Sequence, residues 1–363
     1  MNLQNITDYT TSLFQNNQNK DISLISNSEL IRIGDLLQGI QNQNIKVPNL
    51  VVVGTQSSGK SSVLNSLIGM DILPTGKQMV TRTPLKIEII KTNNSTNSFI
   101  EIGDYINGVW ECNFTQDISY PSPSDLEKQY ILDQIEKETI KKAGEQKDVS
   151  GNIIFIKIKS PNVINLSMVD LPGLTAVACT DMGQPKNIKD KIEELIKEFT
   201  SSEDSIILSI MPGRNDLEAD HGLELVKKID PNGKRTIGVL TKLDLMNDDR
   251  DIIKYIKNTV SKDLQLKYGN FAVMNRNNIE KQSLTIQVGL EKEEKYFLNH
   301  SVFKQEIYRN NTGHNSLKKY LSIILAKHIK LKLPTLQIDI GNQLQTINEE
   351  LKTIGSGIPD TDE

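Results

Sequence analysis

Residues 51–62 read "VVVGTQSSGKSS". A β-branched apolar run stops at Gly54 and gives way to small polar residues around a single lysine, Lys60. Such a run suits a strand buried on both faces. The next stretch, "SSVLNSLIG", sets Val63, Leu64, Leu67 and Ile68 on one helical face. Strand, glycine-bounded turn and helix in this order predict an α/β crossover unit. Within it Gly54–Ser61, "GTQSSGKS", fits G-x-x-x-x-G-K-[ST]. Small residues let backbone N–H groups point inward, and the helix N-terminus adds positive potential, so the turn is suited to phosphate. Lys60 is expected to reach the outer phosphates of a nucleotide and the Ser61 hydroxyl to ligate Mg²⁺, with Ser58, Gly59 and Ser62 in the same cradle. The competing reading is a glycine-rich turn without a ligand.

The pattern recurs along the chain. "NIIFIKIKS", "INLSMVDLPG", "SIILSIM", "RTIGVLTKLD" and "GNFAVMN" read as further strands. Between two of them, residues 187–200 set Ile188, Ile192, Leu195, Ile196 and Phe199 on one helical face. The implied fold class is α/β, with a mostly parallel central sheet covered by helices. Residues 1–27 form a polar, asparagine-rich arm, and 28–41 an amphipathic helix carrying Leu30, Ile33, Leu37 and Ile40 behind a Ser26–Glu29 capping box. Residues 42–315 hold the main domain. Inside it, 101–150 read as a polar insertion with a charged helix, capped by Ser124 and Glu127, lying outside the sheet. Residues 316–354 are helical, with a bend or break expected at Pro334 and an apolar seam from Leu336 to Ile354 that needs a partner. Residues 355–363 read as a tail.

Composition bounds the function. The 363 residues are 37% hydrophobic and 24% charged, enough for a substantial core. A formal charge of -4 and a pI near 5.8 argue against a protein that coats nucleic acid. The sequence has neither a secretory-type N-terminus nor an 18-residue apolar run, which predicts a cytoplasmic protein. Cys112 and Cys179 match no metal or redox spacing and read as free thiols.

Three further signals refine the chemistry. "DLPG", residues 170–173, places an acid at a strand end before a flexible glycine; Asp170 would hold Mg²⁺ through water and the Gly173 N–H would meet a γ-phosphate. "TKLD", residues 241–244, bears on the base. Guanine presents N1–H and an exocyclic amine side by side, and one carboxylate, Asp244, accepts from both, whereas adenine would leave it unpaired. Lys242 would pack its stem over the ring and Thr241 would tie this loop to the phosphate loop. "MNRNN", residues 274–278, follows another strand, and Asn275, Arg276 and Asn278 are placed to close over base and ribose; an ordinary polar loop is the alternative.

Together "GTQSSGKSS", "MVTRTP", "DLPGLT", "DPNGKRTIGVLTKLDLM", "NRNN" and "LAKHIKLKLPTLQIDI" resemble, in order, the dynamin superfamily of large GTPases, including its Mx-like branch. Thr241 stands where small GTPases have asparagine. The resemblance covers roughly residues 28–345 and implies a P-loop GTPase head with a small bundle of N- and C-terminal helices. It implies that Gln56 and Ser57 orient the attacking water, and that Thr81 ligates Mg²⁺ in preference to Thr83. It also implies that the Gly76 carbonyl and Ser57 hold a monovalent cation, K⁺ or Na⁺, in place of an arginine finger. Departures are Thr75, Lys77 and Gln78 in the cation loop, and Asn247 where many members carry a base-contacting aspartate.

The resemblance further implies hydrolysis of GTP to GDP, stimulated when two heads pair through their nucleotide faces. It implies assembly and membrane remodelling through parts outside this stretch, and a peripheral location at a membrane. By the same comparison 28–41 resembles a first bundle helix and 316–333 a second, with only the beginning of a stalk after Leu336, so the chain resembles a head fragment or a shortened member. The rival functions are an ATPase and a guanine-nucleotide-binding assembly module with little turnover.

Overall fold

The computed structural model describes residues 26–38, 48–75, 81–92, 97–106, 109–146, 148–213, 217–245 and 250–354. In chain order the elements are α1 (Asn27–Gln38), β1 (Leu50–Gly54), α2 (Lys60–Ile68), β2 (Leu85–Lys91), β3 (Ser98–Ile106), β4 (Val109–Ile118), α3 (Asp125–Ala143), β5 (Ile154–Ser160), β6 (Leu166–Asp170) and α4 (Ile188–Thr200). There follow β7 (Ile206–Pro212), α5 (His221–Ile229), β8 (Thr236–Thr241), α6 (Arg250–Ile256), β9 (Asn270–Ala272), α7 (Glu280–Ser283), α8 (Ile286–Asn299), α9 (Glu306–Arg309) and α10 (His314–Ile354).

Among the described residues nine strands make one sheet in the order β4-β3-β5-β2-β6-β1-β7-β8-β9. Strands β6, β1, β7, β8 and β9 form a continuous parallel block. Strand β2 joins it antiparallel to β6 and carries β5 parallel to itself, and the β3–β4 hairpin completes that side antiparallel to β5. Leu50 and Val52 pack into the cluster beneath α1, α2 and α10, while Val51 and Val53 pack with Ile188, Ile192 and Ile196 of α4 on the other face. Covering both faces is what removes the polar alternation from this strand.

Helix starts follow local chemistry. Ser26 and Glu29 form the expected reciprocal cap, with Ser26 N–H donating to Glu29 Oε2 at 2.9 Å. Ser124 and Glu127 form a second capping box at the start of α3. The 101–150 segment nevertheless differs from a detached insertion. Residues up to Ile118 enter the sheet as most of the β3–β4 hairpin, and Ile131 and Ile135 anchor α3 in the main core.

Helix α10 runs on through Pro334, so of the bend or break expected there the break is absent. Pro334 is exposed, which leaves the carbonyl it cannot satisfy on a face that water reaches. Leu30, Ile31 and Ile33 of α1 join Leu321, Leu325, Ile329 and Leu333 of α10 in the main core, so the two terminal helices make a small bundle against the head. Leu336 is buried in the same cluster and Ile340 packs partly against it, whereas Ile347 is exposed. Residues 1–25 of the arm, residues 39–41 of the first helix reading and the tail lie outside the described residues. Among the described residues no helix is long and apolar enough to cross a membrane.

Candidate functional site

Strand β1 has β6 on one side and β7 on the other, although both come later in the chain. A crevice outside the carboxyl ends of the strands at such a switch point is the usual ligand position in open α/β sheets. The turns after β1, β6, β8 and β9 all emerge there.

The turn between β1 and α2 is built on left-handed backbone at Ser57 (φ 63°) and Gly59 (φ 102°). Gly59 supports this conformation at little cost. The turn is clasped from both flanks. Gln56 N–H donates to Leu174 O at 2.7 Å, while Leu174 N–H donates to Gly54 O at 3.1 Å. Thr241 Oγ1 donates to Ser58 O at 2.6 Å, and the Lys242 ammonium donates to Ser57 O at 2.6 Å. Thr241 therefore ties the two loops together, and Lys242 adds a tie of its own.

Lys60, at the first residue of α2, is buried facing the end of β6. Burial pushes its ammonium below the usual lysine range, and the nearby Asp170 opposes that shift. Asp170 is fully buried, and burial raises its carboxyl to about 6 against the opposing pull of Lys60 and a Thr81 hydrogen bond. Thr81 Oγ1 donates to Asp170 Oδ2 at 3.3 Å, whereas Oδ1 is buried with no partner. Register explains the contact: Leu85 of antiparallel β2 stands opposite Asp170, so the chain entering β2 passes the end of β6. A Cβ on Gly173 would come within 3.0 Å of Lys60 Nζ and 3.2 Å of Gln56 Cα, so a larger residue there would press the 170–173 turn against the 54–61 turn. An orphaned carboxylate oxygen beside the hydroxyl of Thr81, with Ser61 in the first turn of α2, fits a hard divalent cation. Thr83 is fully buried with its own hydroxyl unpartnered.

The base-loop residues divide. Asp244 is exposed in the short turn after β8. Asn275 lies beside the phosphate loop, its Nδ2 3.5 Å from where a Cβ on Gly59 would sit, and its Oδ1 is buried without a partner. Asn278 is exposed. The Arg276 guanidinium is instead engaged by Asp71, at 2.6 and 2.8 Å, and by Leu284 O at 2.6 Å. Ser62 accepts from Lys281 at 2.8 Å, turning that hydroxyl toward α7. Asp71 and Lys281 carried no motif, and nothing in their spacing marks them. Gly76 and Asn247, with Lys77 and Gln78, lie outside the described residues.

A cavity of about 280 Å³ adjoins Gln56 on the side of Thr175, walled by Lys189, His221 and Lys228. Ser57 is exposed at the mouth of the loop.

Comparison with known proteins follows the same lines. A profile for the dynamin family matches residues 50–243, and one for the dynamin central region matches residues 251–363. The second begins before β9, which still pairs with β8 in the sheet. The chain is 34% identical over 337 residues to Dynamin-A of Dictyostelium discoideum, covering 91% of this chain and 37% of that protein. It is 35% identical over 321 residues to Dynamin-2 of Rattus norvegicus, covering 88% and 34% respectively. It is 34% identical over 337 residues to vacuolar protein sorting-associated protein 1 of Schizosaccharomyces pombe, covering 90% and 48%. The aligned part thus spans 34–48% of the length of these relatives.

Proposed function

The chain belongs to the dynamin family, and from that premise we propose that it binds GTP with Mg²⁺ and hydrolyses it to GDP and phosphate by direct in-line attack of water. The observation that carries the reading is the meeting of Lys60, Asp170 and Thr81 behind the turn at 54–61, with Thr241 clasping that turn to the loop of Asp244.

The backbone of 57–62 cradles the phosphates, and Lys60 neutralises their outer charge. Ser61, Thr81 and Asp170 would hold Mg²⁺, which would supply neutralisation of the charge that develops between the β- and γ-phosphates. Gln56 and Ser57 orient the water, and the Gly173 N–H meets the γ-phosphate as the 170–173 turn closes. Ser57 and the Gly76 carbonyl would hold a monovalent cation where other phosphoryl-transfer sites use an arginine. Asp244 reads the guanine edge, Lys242 covers the ring, and Asn275 approaches from the far side, with Asn247 and Asn278 around the base. Arg276 serves this site through Asp71 rather than through the base.

Self-association through the nucleotide face is part of the proposal. The exposed Ser57 and the cavity beside Gln56 make that face open to a second head. Coupling of turnover to further assembly and to membrane remodelling, in a cytoplasmic or membrane-peripheral setting, rests on the family alone.

Equilibrium titration with GTP and ATP in the presence of Mg²⁺ tests the core reading. GTP is expected to bind saturably and at least about tenfold more tightly than ATP; equal affinity would overturn the base assignment. Phosphate release per protein molecule should rise with protein concentration, and a flat, negligible rate would favour a binding module instead.

A further inference from the structure

Helix α8 buries a stripe of Ile286, Gly289, Glu293 and Phe297, and one member of that stripe is a carboxylate. Both of its oxygens are engaged. Oε1 accepts the backbone N–H of Met274 at 2.8 Å. Oε2 accepts the backbone N–H of His314 at 2.9 Å, and His314 Nδ1 also donates to it at 2.9 Å. Glu293 is 2% exposed and His314 is 1% exposed. A buried carboxylate is unfavourable unless donors saturate it, and here three donors from two distant segments do so.

Those two segments matter for the site. Met274 immediately precedes Asn275, and His314 is the first residue of α10. They are held side by side, with Gly313 N–H donating to Ala272 O at 2.9 Å. One turn earlier on α8, a Cβ on Gly289 would come within 2.7 Å of Arg276 Cγ and Cδ. Arg276 therefore lies across the helix where a side chain is missing, on its way to Asp71. The residues on both sides of Asn275 are thus registered on one face of α8. Asn275 itself keeps a buried, unpartnered Oδ1 beside the phosphate loop.

We propose that Glu293 is a positioning residue for base recognition. It fixes the backbone of Met274 so that Asn275 presents its amide to the nucleotide base, and through His314 it makes this loop and the first turn of α10 one mechanical unit. Gly289 completes the register by admitting Arg276. Glu293 does not touch nucleotide; it acts through Met274. The inference rests on the guanine-nucleotide reading above and adds to it the residue that holds the base loop in place.

The test uses the full chain as wild type, Glu293→Ala, Glu293→Gln and Gly289→Ala, with GDP titrations and steady-state GTP hydrolysis. Loosening the loop removes binding made equally in ground and transition states, so KM should rise while kcat stays. For Glu293→Ala and Gly289→Ala, GDP affinity is expected to fall at least about fivefold, KM for GTP to rise by a similar factor, and kcat to stay within about twofold. Glu293→Gln keeps one carbonyl acceptor and should fall between wild type and Glu293→Ala. A merely structural role would lower the active fraction, and with it the apparent kcat, without moving KM; that result, or variants with wild-type KM and GDP affinity, overturns the proposal. If Glu293→Ala does not fold, Gly289→Ala decides the matter, since alanine is favoured over glycine inside a helix. Wild-type protein that takes up no GDP would instead sink the nucleotide reading itself.

Discussion

The hydroxyl of Thr241 donates to the carbonyl of Ser58 at 2.6 Å, joining residues 183 positions apart in the chain. Thr241 ends β8 and is fully buried, and Ser58 lies in the phosphate loop. This buried hydrogen bond, with the Lys242–Ser57 tie beside it, holds the spacing between the groups that would read phosphate and those that would read the base.

Thr241→Val keeps the shape of the side chain and removes the donor. The Ser58 carbonyl then loses its partner, which typically costs about 1–2 kcal/mol. Urea unfolding should show a loss of that size, and GDP titration an affinity loss of about tenfold, because the buried one of the two ties between the loops is gone. Unchanged stability and affinity would mean that the clasp is incidental.

Lys60 and Asp170 are both desolvated, and no ion pair among the described residues joins them. In Lys60→Met the relief of one buried charge offsets the lost support to the other, so ligand-free stability should change by less than about 1 kcal/mol. The rise in Tm that nucleotide confers on the wild type should disappear. A variant that still gains Tm with GTP would remove Lys60 from the phosphate site.

Thr81 and Thr83 are separated by one residue but differ in surroundings. Thr81 contacts Asp170, whereas the Thr83 hydroxyl is buried with no partner. Thr81→Ala should spare most GDP affinity and lower kcat by about a hundredfold. Thr83→Val removes an unsatisfied hydroxyl and should leave stability level or raise it by up to about 1 kcal/mol, with hydrolysis intact. Reversal of the two phenotypes would transfer the metal role to Thr83.

Lys318, early in α10, has its ammonium pushed down to about 8 from the usual 10.5 by burial. Between those values the unfolded chain binds the proton and the folded chain does not, so stability rises with pH across that window and is lowest below about pH 8. Lys318→Met should therefore be more stable than wild type at pH 7, by roughly 2 kcal/mol, with the advantage shrinking as pH approaches 10. Paired denaturant curves at pH 7 and pH 9.5 measure it; a constant difference would show that Lys318 reaches solvent in the folded state.

Particular elements show what was legible in the chain. The turn at 54–61 was readable because its meaning lies in adjacent residues: a β-branched run before it, an amphipathic helix after it, and glycine where the backbone turns left-handed. Both capping boxes were readable for the same reason, since donor and acceptor sit three residues apart. The β3–β4 hairpin was not, because its strand β4 lies at the sheet edge and is largely exposed, so a polar composition hides a sheet role. At Pro334 the alternative of a break was not settled by the sequence, because a proline's cost to a helix depends on what surrounds the freed carbonyl, and here that side is open.

The amino-acid sequence by itself determined the strand–turn–helix unit at 51–68, the acid and glycine of the 170–173 turn, five of the later strands, and an apolar stripe on each terminal helix. Only the tertiary structure decided that Thr81 rather than Thr83 meets Asp170, that Arg276 is taken up by Asp71, and that Glu293 joins Met274 to the start of α10. The physical reason is range. Turn dihedrals, caps and helical periodicity are set by residues within a few positions of one another. Which buried donor finds which acceptor depends on strand order and register, and these bring together groups tens to hundreds of residues apart.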